Sequence, residues 1–369
     1  MSQLKVNTIR HTGASSDAIT LASDGTCTAK ITNYPRHNLL INGAFSISQR
    51  QGTTGGNPSN NDYWIDRWKA GLSQSAKYGL QQKTSTPASG FKEYLSIASN
   101  SAYTLTTNDH FFIEQCIEGV NAAPLDYGLA TAKTSTLSFW VRSTLTGTFG
   151  GAFSNSAGDR SYVFAYTISS ANTWEKKSIT IAGDTSGTWL RTTGIGLKVR
   201  FNLGVNGTWS ATAGSWGAGN KAGDASQVAL VATNNAELLL TGVKLEIGDT
   251  ATEFVTSYGS ELARCQRYYI QYDVNTGATW SARMNGSSNS DGYIDFPVEM
   301  RADPTGSVSF DSAVCEQGST AKTVSGITAT GYGPRMGHGR CSLSQSGTNG
   351  YASYNRLTGT SKLMYDAEL

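Results

Sequence analysis

Between residues 76 and 247 the chain is written in short apolar or alternating runs, each closed by small-residue turns. The stretch "LLLTGVKLEIGDTATEF" (Leu238 to Phe254) is typical: Leu238, Leu239 and Leu240 are continuously apolar. Val243, Leu245 and Ile247 then alternate with Lys244 and Glu246, and Gly248, Asp249 and Thr250 supply a turn. Alternation of period two, bounded by Gly, Asn and Asp, is the mark of a half-buried strand. Comparable runs lie around 76–81, 93–98, 111–119, 135–146, 161–169, 175–182, 196–203, 227–231 and 236–247. Strands this short, joined by turns, point to an antiparallel sandwich instead of strand–helix–strand units.

Composition agrees. Hydrophobic residues are 38% and charged residues 15%, both below common values, while Gly reaches 41. The aromatic share of 10% supplies large buriable surfaces and argues against disorder. A net charge of +2, with scattered Lys and Arg, argues against dedicated nucleic-acid or anionic-membrane binding. No run approaches the ~20 apolar residues of a membrane span, so no membrane insertion is expected. "MSQLKVNTIRHTGASS" lacks the apolar core of a signal peptide, so folding in a cytoplasm is expected. Cys27, Cys116, Cys265, Cys315 and Cys341 are odd in number and far apart, which predicts free, mostly buried thiols.

Three regions follow. Residues 1–37 hold two short alternating runs, Leu4 to Ile9 and Ala18 to Thr26, with too little apolar surface for a core of their own. Such a segment is expected to pair with a neighbouring subunit or a larger particle. Residues 38–256 form the main sandwich, opening on "NLLINGAFSISQR", which reads as a strand. In "YWIDRWKAGL", Trp64 and Trp68 stand at a helix-like spacing of four. Residues 257–369 open on "YGSELARCQRYYIQYD", where Leu262, Cys265 and Tyr268/Tyr269 recur at helical spacing. A short junction helix and a second, smaller β domain are expected there.

"NLLINGAFSISQR", "YWIDRWK", "STLSFWVRS", "WEKKSITIAGDTSGTW", "TGVKLEIGDTATEF" and "ELARCQRYY…FPVEMRADPT" occur in this order over roughly residues 38–305. Together they resemble bacteriophage tail-fibre and related virion-fibre proteins that carry a jelly roll similar to carbohydrate-binding modules. "LKVNTIRHTG…AITLASDGT" likewise resembles fibre attachment segments, and residues 306–369 resemble nothing we can name. The resemblance implies a virion protein made in the host cytoplasm, commonly a homotrimer, with its N-terminus joined to tail or capsid. It implies no catalytic site and no particular sugar. It also places the strand at Val243–Ile247 late in the jelly roll, with Lys244 and Glu246 outward and Phe254 over the sandwich end.

Candidate chemistry is sparse. His11, His37, His110 and His338 form no paired metal motif, and Cys315, Cys341 and His338 lack the paired spacing of zinc sites. Carbohydrate-binding jelly rolls often hold a structural calcium, for which Asp249 and Glu253 are candidates by position, against a plain turn-capping role. No other cofactor is indicated. There is no nucleophile elbow or phosphate loop. Asp62, Asp66, Glu114 and Asp159 are spread out, so a polysaccharide hydrolase remains only as an alternative. Glycan binding has more behind it, because indole and phenol faces stack on sugar rings. The small-residue stretch 204–226 carries Trp209 and Trp216, as ligand contacts or as lids folded back on the sandwich. Trp64, Trp68, Trp140, Trp174 and Trp189 sit in or beside strand patterns and read as core. Tyr332, Tyr351 and Tyr354 are a second candidate cluster near the distal end. The expected function is host-surface contact, with a tail adaptor or capsid decoration lacking any host ligand as the other alternative.

Overall fold

The protein is described by a computed structural model over residues 6–29, 36–273, 279–344 and 347–369. Residues 1–5 and 30–35 of the expected attachment segment therefore lie outside the described residues. The chain is all-β, and its largest unit is a jelly-roll sandwich of a seven-stranded and a five-stranded antiparallel sheet.

The seven-stranded sheet runs in the order Trp216–Ala218, Arg160–Ile168, Gly147–Ser154, Ile195–Val205, His110–Glu118, Trp68–Leu72, Tyr63–Ile65. The five-stranded sheet runs Glu175–Ile181, Ser135–Ser143, Glu237–Ile247, Tyr94–Ser99, Tyr78–Lys83. Alternate residues of both sheets meet between them. Leu197, Val199, Phe201 and Leu203 of one face Leu137, Phe139, Val141, Leu238 and Leu240 of the other, all essentially inaccessible. Burial of that order contributes roughly 1.5–3 kcal/mol per large side chain and is what drives the two sheets together.

The strand Glu237–Ile247 contains a one-residue bulge: Thr241 pairs with Trp140, but Lys244 pairs with Ser138. The bulge flips the parity of the strand, so Leu238 and Leu240 face inward before it and Val243 and Leu245 after it. Gly242 makes this possible, with φ +61. The change of pattern halfway along "LLLTGVKLEI" thus has a backbone cause.

Several expectations need correcting. "NLLINGAFSISQR" is not a strand but a buried irregular segment. It is held by Asn42, whose amide donates to the carbonyls of Ile47 (2.8 Å) and Asp66 (3.0 Å). Gly43 lies so close to the bulged strand that a Cβ would stand 1.9 Å from the Val243 carbonyl. Trp64 and Trp68 do not share a helix; they lie on the two arms of a hairpin that turns at Arg67, φ 71. Gly147–Ser154 is a strand that its glycines disguise, and 227–231 is instead irregular, with a 3₁₀ turn at Leu230–Ala232. Lys244 and Glu246 do point outward, but the segment after the strand covers them. Thr252 Oγ1 accepts from Lys244 (2.5 Å) and donates to Glu246 (2.6 Å).

A helix spans Tyr258–Gln266, capped by Ser257, and the chain then resumes as strand Tyr269–Tyr272, shorter than the helical spacing suggests. Beyond it, strands Thr279–Asn285, Asn289–Asp295, Met336–Leu343, Thr320–Gly331, Ser312–Gln317 and Ala352–Thr358 close into a barrel. Tyr269–Tyr272, Lys362–Asp366 and Thr305–Ser309 form a small sheet beside it. The last residues return to the jelly roll. Glu368 pairs with the fully buried Arg67, Asp366 with Arg50 (3.0 Å), and Tyr63 donates to the Leu369 carbonyl (2.5 Å). Residues 6–29 form three short strands, and none of residues 6–27 is buried. All cysteines are free, with Cys27 exposed and the others buried. Among the described residues no helix is long and apolar enough to cross a membrane.

Candidate functional site

The tryptophans divide by what they touch. Trp209 lies on the outer face of the seven-stranded sheet, its ring 4.2 Å from His110 and 5.7 Å from Phe112. The loop around it crosses that face. Arg200 donates to Asn220 Oδ1 (2.6 Å) and to the Lys221 carbonyl (2.9 Å), while Asn202 donates to Gln227 (2.9 Å). Trp216 closes an edge of the sandwich within a ring cluster of Tyr127, Tyr162 and Trp189, with centroids 5.4–5.5 Å away. Its indole donates to the Ala182 carbonyl at 2.7 Å. Both are lids folded back on their own domain.

Trp140 is different. In strand Ser135–Ser143, Leu137, Phe139 and Val141 are buried, so Trp140 projects from the outer face of the five-stranded sheet and is only half-buried. Among the described residues its ring makes no stacked or edge-on contact with another ring, and its indole N–H has no acceptor. It lines a groove of about 490 Å³ together with Phe91, Ser138, Lys176, Glu253 and Phe254. That volume is within the range of about 300–1,000 Å³ usual for small-ligand sites.

Local backbone features build the groove. At the bulge, Gly242 leaves room for the Phe91 ring, since a Cβ there would stand 2.5 Å from Phe91 Cζ. Phe91 in turn packs on Phe254, with centroids 5.4 Å apart. Phe254 thus forms one wall of the groove. The strap carrying it is fixed by Thr252, by Lys244 donating to the Glu253 carbonyl (2.9 Å), and by Arg36 donating to the carbonyls of Ile247 (3.3 Å) and Thr250 (3.4 Å). Further along the same face, Tyr94 meets Trp174 edge-on at 5.5 Å.

The remaining candidates are scattered. Tyr332 is 63% exposed on the barrel and packs on Tyr293 (5.4 Å), which also neighbours His338 (5.6 Å). Tyr351 and Tyr354 are exposed, but neither joins that cluster by a ring contact. Glu253 lines the groove. Asp249 is exposed and accepts from Thr250 Oγ1 (2.9 Å). Neither belongs to a grouping of three or more His, Cys, Asp or Glu side chains able to hold a metal, and the described residues contain no such grouping.

The carboxylates considered for hydrolysis are taken up structurally. Asp62 accepts from the Ser59 N–H (2.9 Å), Asp66 from Gln49 (2.6 Å) and Asp159 from Asn155 (2.5 Å). Glu114 lies between Arg200 (2.5 Å) and Lys69 (3.2 Å). Burial pushes the Glu114 carboxyl up, but Arg200, Lys69 and Lys198 outweigh it and hold it at about 2.

The sequence matches no protein-family model and no curated protein. Solved structures similar to this chain include the enzymatically active domain of tailspike protein 4 of bacteriophage CBA120, at 12% identity and TM-score 0.32, covering 57% of this chain and 21% of that one. A family 11 carbohydrate-binding module from Clostridium thermocellum, in complex with a mixed-linked tetrasaccharide, is 13% identical with TM-score 0.26, covering 55% of this chain and 99% of that one. A xylan-binding module from Paenibacillus barcinonensis is 11% identical with TM-score 0.27, covering 58% and 97%.

Proposed function

We propose that this chain is a non-catalytic adhesive protein of a bacteriophage fibre, which holds glycan on the outer face of its five-stranded sheet. The observation that carries the reading is Trp140: a tryptophan free of partners, flanked by Phe91 and Phe254 in an open groove. An indole face left bare beside aromatic walls suits stacking against the C–H face of a sugar ring, with Ser138, Lys176 and Glu253 available for hydrogen bonds. The absence of catalysis is supported by the engagement of Asp66 and Glu114, whose oxygens are taken by Gln49, Arg200 and Lys69.

Attachment to a tail or capsid through residues 1–37, and assembly as a homotrimer, are part of the same proposal. Supporting them, Ile9 and Leu21 stand 51% and 40% exposed on a three-stranded sheet, Val6 just before it is 37% exposed, and none of residues 6–27 is buried. A sheet so small needs a partner to be stable. The test is glycan-array binding by the purified protein beside Trp140→Ala and Trp216→Ala. Binding by the wild type, lost with Trp140→Ala and kept by folded Trp216→Ala, is the expected result. Binding that survives Trp140→Ala overturns the assignment of the site.

A further inference from the structure

The groove is flanked by unpaired positive charge. Lys176 stands directly opposite Trp140 in the register of the neighbouring strand. Directly opposed residues have Cβ atoms about 4.5–5.5 Å apart. Arg142, two residues along the same strand, projects from the same face as Trp140, about 7 Å away. Among the described residues neither cation has an ion-pair or hydrogen-bond partner. The other charges nearby are mostly spent: Lys83 is paired with Glu237 (3.2 Å), Lys92 with Glu93 (3.1 Å) and Lys244 with Glu246 (3.4 Å). Glu253 is the one lining carboxylate left over, so Arg142 and Lys176 exceed it by one positive charge. The field is felt by Lys244, whose ammonium is held below the ordinary lysine range first by burial and then also by Arg36 and Lys176.

From these placements we propose that the glycan bound here is acidic. One sugar ring stacks on Trp140, and its carboxylate or sulfate is met by Arg142 and Lys176. The inference rests on the glycan-binding reading above and adds the chemical class of its ligand. A neutral saccharide would leave both cations without a counter-charge as the groove desolvates, whereas an anionic one provides it. A guanidinium beside an aromatic face is suited to planar carboxylate or sulfate groups.

The test is an array of matched glycans that differ only in charge: uronic-acid oligosaccharides with their methyl esters, and sulfated oligosaccharides with their desulfated forms. Wild-type protein is compared with Arg142→Gln, Lys176→Gln and Trp140→Ala, after a cooperative melting transition well above the assay temperature establishes that each is folded. The expected result is a preference of about tenfold or more for the acidic member of a pair, reduced about tenfold by either glutamine variant. Raising salt to about 500 mM should weaken it further, because Lys176 is exposed and Arg142 only partly buried. Which pairs respond separates a carboxylate from a sulfate. Equal binding of charged and neutral twins, still dependent on Trp140, would overturn the acidic assignment and leave glycan binding standing. Acidic binding indifferent to both glutamine variants would also overturn it. Binding to no glycan would remove the glycan reading itself, and this inference with it.

Discussion

Trp140 and Trp216 are the same residue type with opposite employment, and the difference is what each ring already touches. Trp216 has three aromatic neighbours and an indole hydrogen bond, so Trp216→Ala should cost about 3 kcal/mol in urea unfolding. Trp140→Ala should cost less, about 1–2 kcal/mol, because its ring is only half-buried and makes no ring contact. The alternation of Leu137, Phe139 and Val141 already turns Trp140 outward in the sequence. Treating every tryptophan in a strand pattern as core overlooks that parity. What the sequence hides is the company each ring keeps: nothing near residue 216 announces Tyr127 or Trp189 as neighbours. Glu114 gives a pH prediction at the same scale. Its folded value of about 2 lies below the roughly 4.3 of an unfolded glutamate. The stability it contributes is therefore full above about pH 4.3 and is lost as pH falls through about 2. Urea midpoints measured from pH 7 down to pH 2 should fall less steeply in Glu114→Gln than in wild type. Equal slopes would mean that the Arg200–Glu114–Lys69 cluster is not what acid breaks.

Among elements, the bulged strand Glu237–Ile247 links fold to site. Its inward residues change parity at Gly242, and the same glycine makes room for Phe91. Gly242→Ala should therefore act twice. It should lower stability by about 1–3 kcal/mol, from the positive φ and the clash, and it should displace Phe91 and weaken glycan binding. A variant that loses stability but keeps its affinity would separate the bulge from the groove. The parity change is visible in the string of residues, since apolar positions 238 and 240 are followed by 243, 245 and 247. Most strands were likewise legible from period-two alternation. Gly147–Ser154 was not, because three glycines leave little pattern to read, and the strand is defined by its neighbours' hydrogen bonds. Asn38 to Arg50 misled for the opposite reason: its apolar run is buried by tertiary contacts around Asn42, not by membership of a sheet.

For the whole molecule, the C-terminal residues fasten the second β unit to the jelly roll. Arg67 is buried, and Glu368 is its counter-charge; Arg267 reaches Glu118 (3.0 Å) across the same junction, and Tyr268 donates to Glu118 at 2.9 Å. Burial alone would disfavour the Arg67 cation, but the Glu368 carboxylate outweighs it and keeps it charged. Glu368→Ala leaves that charge unpaired and should cost about 3–5 kcal/mol. Calorimetry should then show the jelly roll melting earlier; an unchanged transition would mean that the junction contributes little. No local signal marks this clasp, because its partners lie far apart in sequence, Arg267 and Glu118 by 149 residues and Arg67 and Glu368 by 301.

The most direct measurement is a crystal structure of the protein with the best-bound glycan from the array. We predict electron density for a sugar ring stacked on Trp140, between the Phe91–Phe254 wall and Lys176. Density instead on the barrel at Tyr293 and Tyr332, or against Trp209, with the groove empty, would contradict the account.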